Sequence, residues 1–309
     1  MTDLKAPEPR QAGPDLSKPG TLPTGGLQLD GLNLDWAAFL AAGEYRRALA
    51  AVRLSPTPLP GALAGSLEAL HDLREELRAH RYPQARRSLE RLEAELETPD
   101  LNTQGTDPDV LQTLSRHIDV QQLGVALGSL EGAETARHVE PAELRSALSP
   151  ALETPLTRAE ALNAVGVLHA VHEEQPQARA AFEAALEADP GHYRAMSNIG
   201  NLELQAGNPK EAEAAQRRAI ALNADFAGAH HNLGVALRAQ GKLGESVKAI
   251  RRSQRLSLRQ IRENDSVRLG RGKAGTGRSG AGPRKLNPNL LRVVGLLLAV
   301  LVFYLFLRP

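Results

Sequence analysis

The side chains in this 309-residue chain that could ligate a metal or move a proton are nine histidines and 36 carboxylates. His169 and His172 stand three apart with Glu173 beside them, which on a helix puts both rings on one face. A zinc-binding helix of the metalloprotease type needs its histidines four apart with a glutamate between them, and that pattern does not occur. His230 and His231 are adjacent, so their rings diverge on a helix. The chain has no cysteine, which removes thiol nucleophiles, thiolate zinc sites, disulfides and S-acylation together. There is no Gly-x-Ser-x-Gly elbow and no phosphate loop ending in Gly-Lys-Ser/Thr. Gly270-Arg-Gly272-Lys-Ala-Gly275 has dinucleotide-fingerprint spacing. No strand-forming run precedes it, however, and a Gly/Arg-rich stretch surrounds it. Carboxylates spread along helices read as solvated faces. The expectation is a binding protein without metal, cofactor or catalytic residues, and not an enzyme.

What remains is recognition chemistry, and its placement depends on the elements that carry it. Ten aromatic residues in a chain rich in Ala, Leu, Glu and Arg predict packed helices, an all-α fold, rather than a sandwich or barrel. The strongest pattern is a period of 34. Gly166, Gly200 and Gly234 each close a similar phrase: Leu162-Asn-Ala-Val-Gly166, Met196-Ser-Asn-Ile-Gly200 and His230-His-Asn-Leu-Gly234. Ala178, Ala212 and Ser246 follow twelve residues later, and Ala185, Ala219 and Ser253 nineteen later. Breakers fall between, at Gln175-Pro176, Gly207-Asn208-Pro209 and Gly241-Lys242. Each unit reads as a helix, a turn and a second helix, with small residues where the two backbones must approach closely. Such hairpins cannot bury their apolar faces singly, so they stack.

The spacing resembles the tetratricopeptide repeat family, whose pattern of Trp-x2-Leu-Gly-x2-Tyr, then Ala, Phe, Ala and Pro, lays onto residues 159–192, 193–226 and 227–260. The first unit fits best, through Leu162, Val165, Gly166, Ala178, Phe182, Ala185 and Pro190. The Trp position holds Leu162, Met196 and His230, and the Tyr position holds His169, Glu203 and Leu237. The resemblance implies a helical-hairpin solenoid whose first helices line a peptide-binding groove. Its groove positions fall on Glu160, Asn163, Ala164 and Val167, on Arg194, Ser197, Asn198 and Asn201, and on Gly228, His231, Asn232 and Val235. By the same resemblance Asn163, Ser197, Asn198, Asn201, His231 and Asn232 would contact an extended peptide. Arg194 and Arg238 would pair with its acidic groups. The partner implied is a protein or peptide.

Residues 32–158 read as divergent hairpins of the same kind. Ala42-Gly43-Glu-Tyr45-Arg-Arg-Ala48 imitates the repeat turn, and Ala79-His80-Arg-Tyr82-Pro-Gln-Ala85 does so 37 residues on. Single helices are expected over 109–131 and 140–150, started at Pro108 and Pro141, and another over 243–263. Residues 1–31, with five prolines, five glycines and no apolar run, predict disorder.

Charge and apolarity concentrate near the other end. Residues 1–247 hold 23 basic and 34 acidic side chains, whereas 248–292 hold 13 basic and two acidic. Residues 261–289 read as a flexible basic Gly-rich linker. Leu290–Leu307 contains eight Leu, four Val, two Phe and one charge, Arg292. At ~1.5 Å per residue these 18 residues make ~27 Å of helix against a hydrocarbon core of ~30 Å, so a single transmembrane anchor is expected. The Lys/Arg excess before it places the bulk of the chain in the cytoplasm, with Arg284, Lys285 and Arg292 at the membrane surface against anionic lipid headgroups. A bacterial inner membrane is the first expectation and a mitochondrial outer membrane the second. The reading is a membrane-tethered, tail-anchored scaffold. The alternative is a nucleic-acid-associated regulator using the Arg-rich 248–289, although that segment has no aromatic residue to stack on bases.

Overall fold

The computed structural model describes residues 35–55, 59, 61–97, 109–136 and 138–273, with side chains described at all of these except 109–112 and 263–273. The proline-rich start at 1–31, the remainder of the linker at 274–289 with Arg284 and Lys285, and the apolar run 290–307 with Arg292 lie outside the described residues. Every described element is a helix, and among the described residues no helix is both long and apolar enough to cross a membrane. The chain divides into two compact units, Met1–Ala206 and Gly207–Pro309. The first holds α1 (Trp36–Ala41), α2 (Tyr45–Arg53), α3 (Gly61–Arg78), α4 (Tyr82–Glu97), α5 (Asp109–His117), α6 (Val120–Ala136), α7 (Pro141–Ala147), α8 (Ser149–Glu153), α9 (Pro155–Val171), α10 (Gln175–Ala188) and α11 (Tyr193–Gln205). The second holds α12 (Pro209–Leu222), α13 (Ala227–Ala239) and α14 (Leu243–Lys273).

The helices that open the hairpins stop in the same way. Gly43, His80, Glu173 and Gly241, each the second residue after the end of α1, α3, α9 and α13, take φ of 70°, 58°, 61° and 77°. Two reverse hydrogen bonds then satisfy the last carbonyls. Glu44 N–H donates to Phe39 O (2.7 Å) and Gly43 N–H to Leu40 O (2.8 Å), and the pattern recurs from Arg81 and His80, from Glu174 and Glu173, and from Lys242 and Gly241. This is the Schellman termination, which needs one left-handed residue and usually finds it in glycine. His80 and Glu173 adopt that conformation with a Cβ, at a cost of about 1–2 kcal/mol each.

Three residues into each second helix the side chain is small and buried: Ala48, Ala85 and Ala178 in the first unit, Ala212 and Ser246 in the second. The glycines of the facing helices meet equally tight surroundings. A Cβ on Gly166 would lie 2.7 Å from Phe182 Cε1, and one on Gly234 would lie 2.6 Å from Ile250 Cγ1 and 3.2 Å from Ser246 O. At the second crossing the Ser246 hydroxyl donates to Gly234 O at 2.6 Å, so a backbone carbonyl is satisfied where the helices touch. Gly200 is buried as well.

In the first unit one apolar core runs from the early hairpins into the first repeat. Leu63, Leu67, Leu70, Leu73 and Leu77 of α3 recur at helical spacing and are shielded from solvent, and Ala161 and Val165 of α9 belong to the same cluster. Arg78 locks α3 to the loop after α10 with two parallel bonds to Asp189, Nε to Oδ2 at 2.7 Å and Nη2 to Oδ1 at 2.5 Å. This bidentate geometry is the strong form of the guanidinium–carboxylate pair.

Three expected boundaries are corrected. The single helix over 109–131 is two, α5 and α6, because Asp119 turns its carboxylate back to accept from Gln122 N–H at 2.9 Å, as an N-cap does. The helix over 140–150 breaks at Leu148 and resumes as α8 with Pro150 in its first turn, the place where proline's missing N–H costs nothing. Helix α14 runs to Lys273 rather than 263, over the first residues of the expected linker, because no proline interrupts it and its first glycine after Gly244 is Gly270.

Gly234→Leu should overpack the α13–α14 crossing and lower stability by about 1–3 kcal/mol. A denaturant titration followed by helical circular dichroism measures this, and an unchanged midpoint would mean that the two helices are not in close approach there.

Candidate functional site

The groove positions of the first unit divide into residues spent on the fold and residues that face an opening. Glu160, on α9, belongs to the first kind. It is 2% exposed and surrounded by donors from two other stretches of the chain, 80–82 and 192–194. Its Oε1 faces His80 Nδ1 at 2.7 Å, accepts from Tyr82 Oη at 3.0 Å and lies 3.3 Å from Arg194 Nη1, while its Oε2 faces His192 Nε2 at 2.9 Å. His192 Nδ1 accepts from Ala195 N–H at 3.2 Å, capping α11. The proton must therefore sit on Nε2, and the ring donates it to Glu160. His80 also points its Nε2 at Glu134, 3.5 Å away.

Burial by itself would push the Glu160 carboxyl up. The hydrogen bonds from His192 and His80 and the positive charge of Arg194 outweigh it and hold the pKa at about 2. Burial and the charge of Glu160 push the Tyr82 hydroxyl far above its ordinary range, so it stays a donor. Asp189 is held below its ordinary value by Arg78, against burial that acts the other way. The His80 ring explains why a residue with a Cβ occupies the left-handed turn position, since that conformation aims the ring into this cluster.

Asn163 is buried, and its Oδ1 accepts from Asn198 Nδ2 at 2.9 Å, tying α9 to α11. Ser197 is buried, and Arg194 is half-buried against Glu160. Asn198 and Asn201 are half-buried and line a cavity of about 300 Å³ together with Val167, Ala170, Val171, Phe182, Leu202 and Gln205. Val167 and Val171 are 41% and 72% exposed. The result is an apolar slot edged by three amides. Such an edge can exchange hydrogen bonds with a peptide backbone in both directions while the slot takes a side chain.

The other predicted contact residues belong to the second unit. His231 and Arg238 are exposed on α13 and Asn232 is half-buried. His231 and Arg238 are seven residues apart, two turns, and so share a helix face. The histidines weighed as ligands have other partners: His169 Nδ1 faces Glu174 Oε2 at 2.5 Å, His172 Nε2 faces Val139 O at 2.6 Å, and His230 Nε2 faces Ala224 O at 2.9 Å. Among the described residues no group of three or more His, Asp or Glu could hold a metal ion.

The sequence reading missed the cluster around Glu160. Its one signal was a carboxylate at a groove register position of α9, with His80 and His192 at hairpin ends elsewhere in the chain.

The tetratricopeptide repeat family profile matches residues 166–225 and 197–257, so this part of the chain carries tetratricopeptide repeats. No curated protein matches the chain in sequence. Among solved structures it is similar to MamA, at 18% identity with 61% of this chain and 95% of that one covered and a TM-score of 0.36. It is also similar to BtubC (BKLC) from P. vanneervenii, at 18% identity with 82% and 93% covered and a TM-score of 0.34.

The depressed pKa of Glu160 sets the sign of a pH effect. Stability from the ionised carboxylate is complete above its ordinary value of 4.5 and is lost as pH falls toward about 2. Glu160→Gln should therefore cost about 3 kcal/mol at neutral pH, the scale for breaking a buried ion pair. The gap to the native protein should narrow as pH falls below 4.5. Urea titrations at pH 7 and pH 3 test this, and a gap independent of pH would show that the carboxylate is not held ionised.

Proposed function

We propose that this chain is a membrane-tethered adaptor whose tetratricopeptide repeats capture an extended segment of a protein partner, and that it performs no catalysis. The observation that carries the proposal is the slot between α9, α10 and α11. There, Val167 and Val171 stay exposed beside Asn198, Asn201 and Gln205, in a cavity also lined by the buried Phe182 and Leu202. Apolar side chains left beside backbone-matching amides suit a partner's extended chain better than water. The second unit by itself offers, on one face of α13, the exposed Arg238 as a cation that favours acidic side chains in a ligand, with the polar His231 two turns away.

The tether in this reading is the apolar run 290–307. Fourteen large apolar residues at roughly −0.3 to −0.6 kcal/mol each outweigh one Arg near an edge, whose side chain can reach the headgroups. The basic residues that precede it orient the repeats toward the cytoplasm, in a bacterial inner membrane on the reading favoured here. Confinement at a surface raises the effective concentration of any partner that shares the membrane.

Two measurements test the parts separately. A photo-crosslinking residue at Val171 should yield a discrete adduct in intact cells that Asn201→Ala with Val167→Glu abolishes, and a crosslinker at exposed Glu187 should not yield it. The same adduct from both positions would remove the slot from consideration. Deleting residues 286–309 should move the protein to the soluble fraction, and persistence in the membrane pellet would reject 290–307 as the anchor.

A further inference from the structure

Helix α14 presents three faces over the residues whose side chains are described. At ~100° per residue, Ser246, Ala249, Ser253 and Leu256 share one side and are buried, and Ser246 is the residue that bonds Gly234 of α13. A second strip, Leu243, Val247, Leu258 and Ile261, is 63%, 47%, 56% and 57% exposed. A third carries Lys248, Arg251, Arg252, Arg255, Arg259 and Arg262, all exposed, with no acidic residue between Ser246 and Arg262. Arg252 reaches Asp225 at 3.2 Å. A helix that merely capped the repeats would turn a polar face to water. Here four large aliphatic side chains stand in water beside a row of cations.

Two observations choose what covers them. From Lys248 to Arg262 the flanking strip is cationic with no acidic residue among it, which fits an anionic surface. Beyond Lys273 the chain continues through the Gly-rich 274–289, where Arg278, Arg284 and Lys285 add charge and no acidic residue occurs, into the apolar run 290–307. Sixteen Gly-rich residues, by composition alone, correspond to a reach of roughly 20–24 Å, so with 290–307 in a bilayer α14 would be held close to the headgroups.

We infer that α14 docks on an anionic bilayer, with Leu243, Val247, Leu258 and Ile261 at the boundary between headgroups and acyl chains and its arginines against lipid phosphates. The inference rests on the anchor reading for proximity, and it assigns α14 a function of its own: it fixes the repeats at the surface instead of leaving them on a free tether.

Because the chain has no cysteine, Ile261→Cys gives one attachment point for an environment-sensitive dye in the full-length protein. Emission should shift to the blue in vesicles of phosphatidylcholine mixed with phosphatidylserine and stay unshifted in phosphatidylcholine alone. Arg251→Gln, Arg255→Gln and Arg262→Gln together should reduce the shift severalfold. Flotation of the same samples reports the anchor independently. Protein that floats with an unshifted dye overturns the placement of α14 and leaves the anchor standing. Protein that neither floats nor shifts overturns both. An equal shift in neutral vesicles overturns the anionic surface as the occupant. A dye already blue-shifted without lipid, from cover by 290–307 or by a second copy, overturns lipid docking altogether.

Discussion

A side chain no larger than serine three residues into each second helix is the constraint on which the hairpins depend. Ala48, Ala85, Ala178, Ala212 and Ser246 occupy that place and are shut off from solvent. Where the facing helix contributes glycine, as at Gly166 and Gly234, even a methyl group would press into Phe182 or Ile250. Close approach brings the large apolar residues on either side of the seam into contact, so each hairpin gains dispersion and burial along its length from one small position. The left-handed turn ahead of it delivers the second helix at the angle that this approach requires.

Glu160 shows how the same architecture spends polar residues. At a register position that faces a groove in a free-standing array, its carboxylate is enclosed by His80 and Tyr82 of the preceding hairpin region and by His192 and Arg194 of the following helix. Such a cluster gains little net stability over an apolar one of equal volume, because desolvation opposes the pairing. It does tie the turn after α3, α4 and the start of α11 to α9, since donors from each meet the one carboxylate. The amides further along the same side, Asn198 and Asn201, are left at the rim of a cavity. One helix side is thus partly enclosed by the fold and partly set along a cavity.

The sequence made the turns at 42–45 and 79–82 legible, because a breaker or polar residue ahead of Tyr and Ala at fixed offsets is a local signal that local hydrogen bonds satisfy. It misled at 109–131, where apolar periodicity continued through Asp119 but the side chain captured a backbone N–H and ended the helix. It misled again at the end of α14, where glycine content suggested coil although arginine-rich helix former preceded it. The groove was half legible. Register told which helix face carries Glu160, Asn163, Asn198 and Asn201, and could not tell which of them another part of the chain would cover.

The amino-acid order alone determined the helical class, the 34-residue period, the small positions, the split between an acidic body and a basic neck, and the apolar run at 290–307. These follow from spacing and composition, which act over one or two helical turns. Only the tertiary structure decided that Glu160 and Asn163 are interior, that Val167 and Val171 are not, and that α14 keeps an aliphatic strip beside its cations. Burial depends on what stands opposite a side chain. In the first unit that neighbour can lie 80 residues or more away in the chain, as His80 does from Glu160 and Arg78 from Asp189, and no local pattern encodes it.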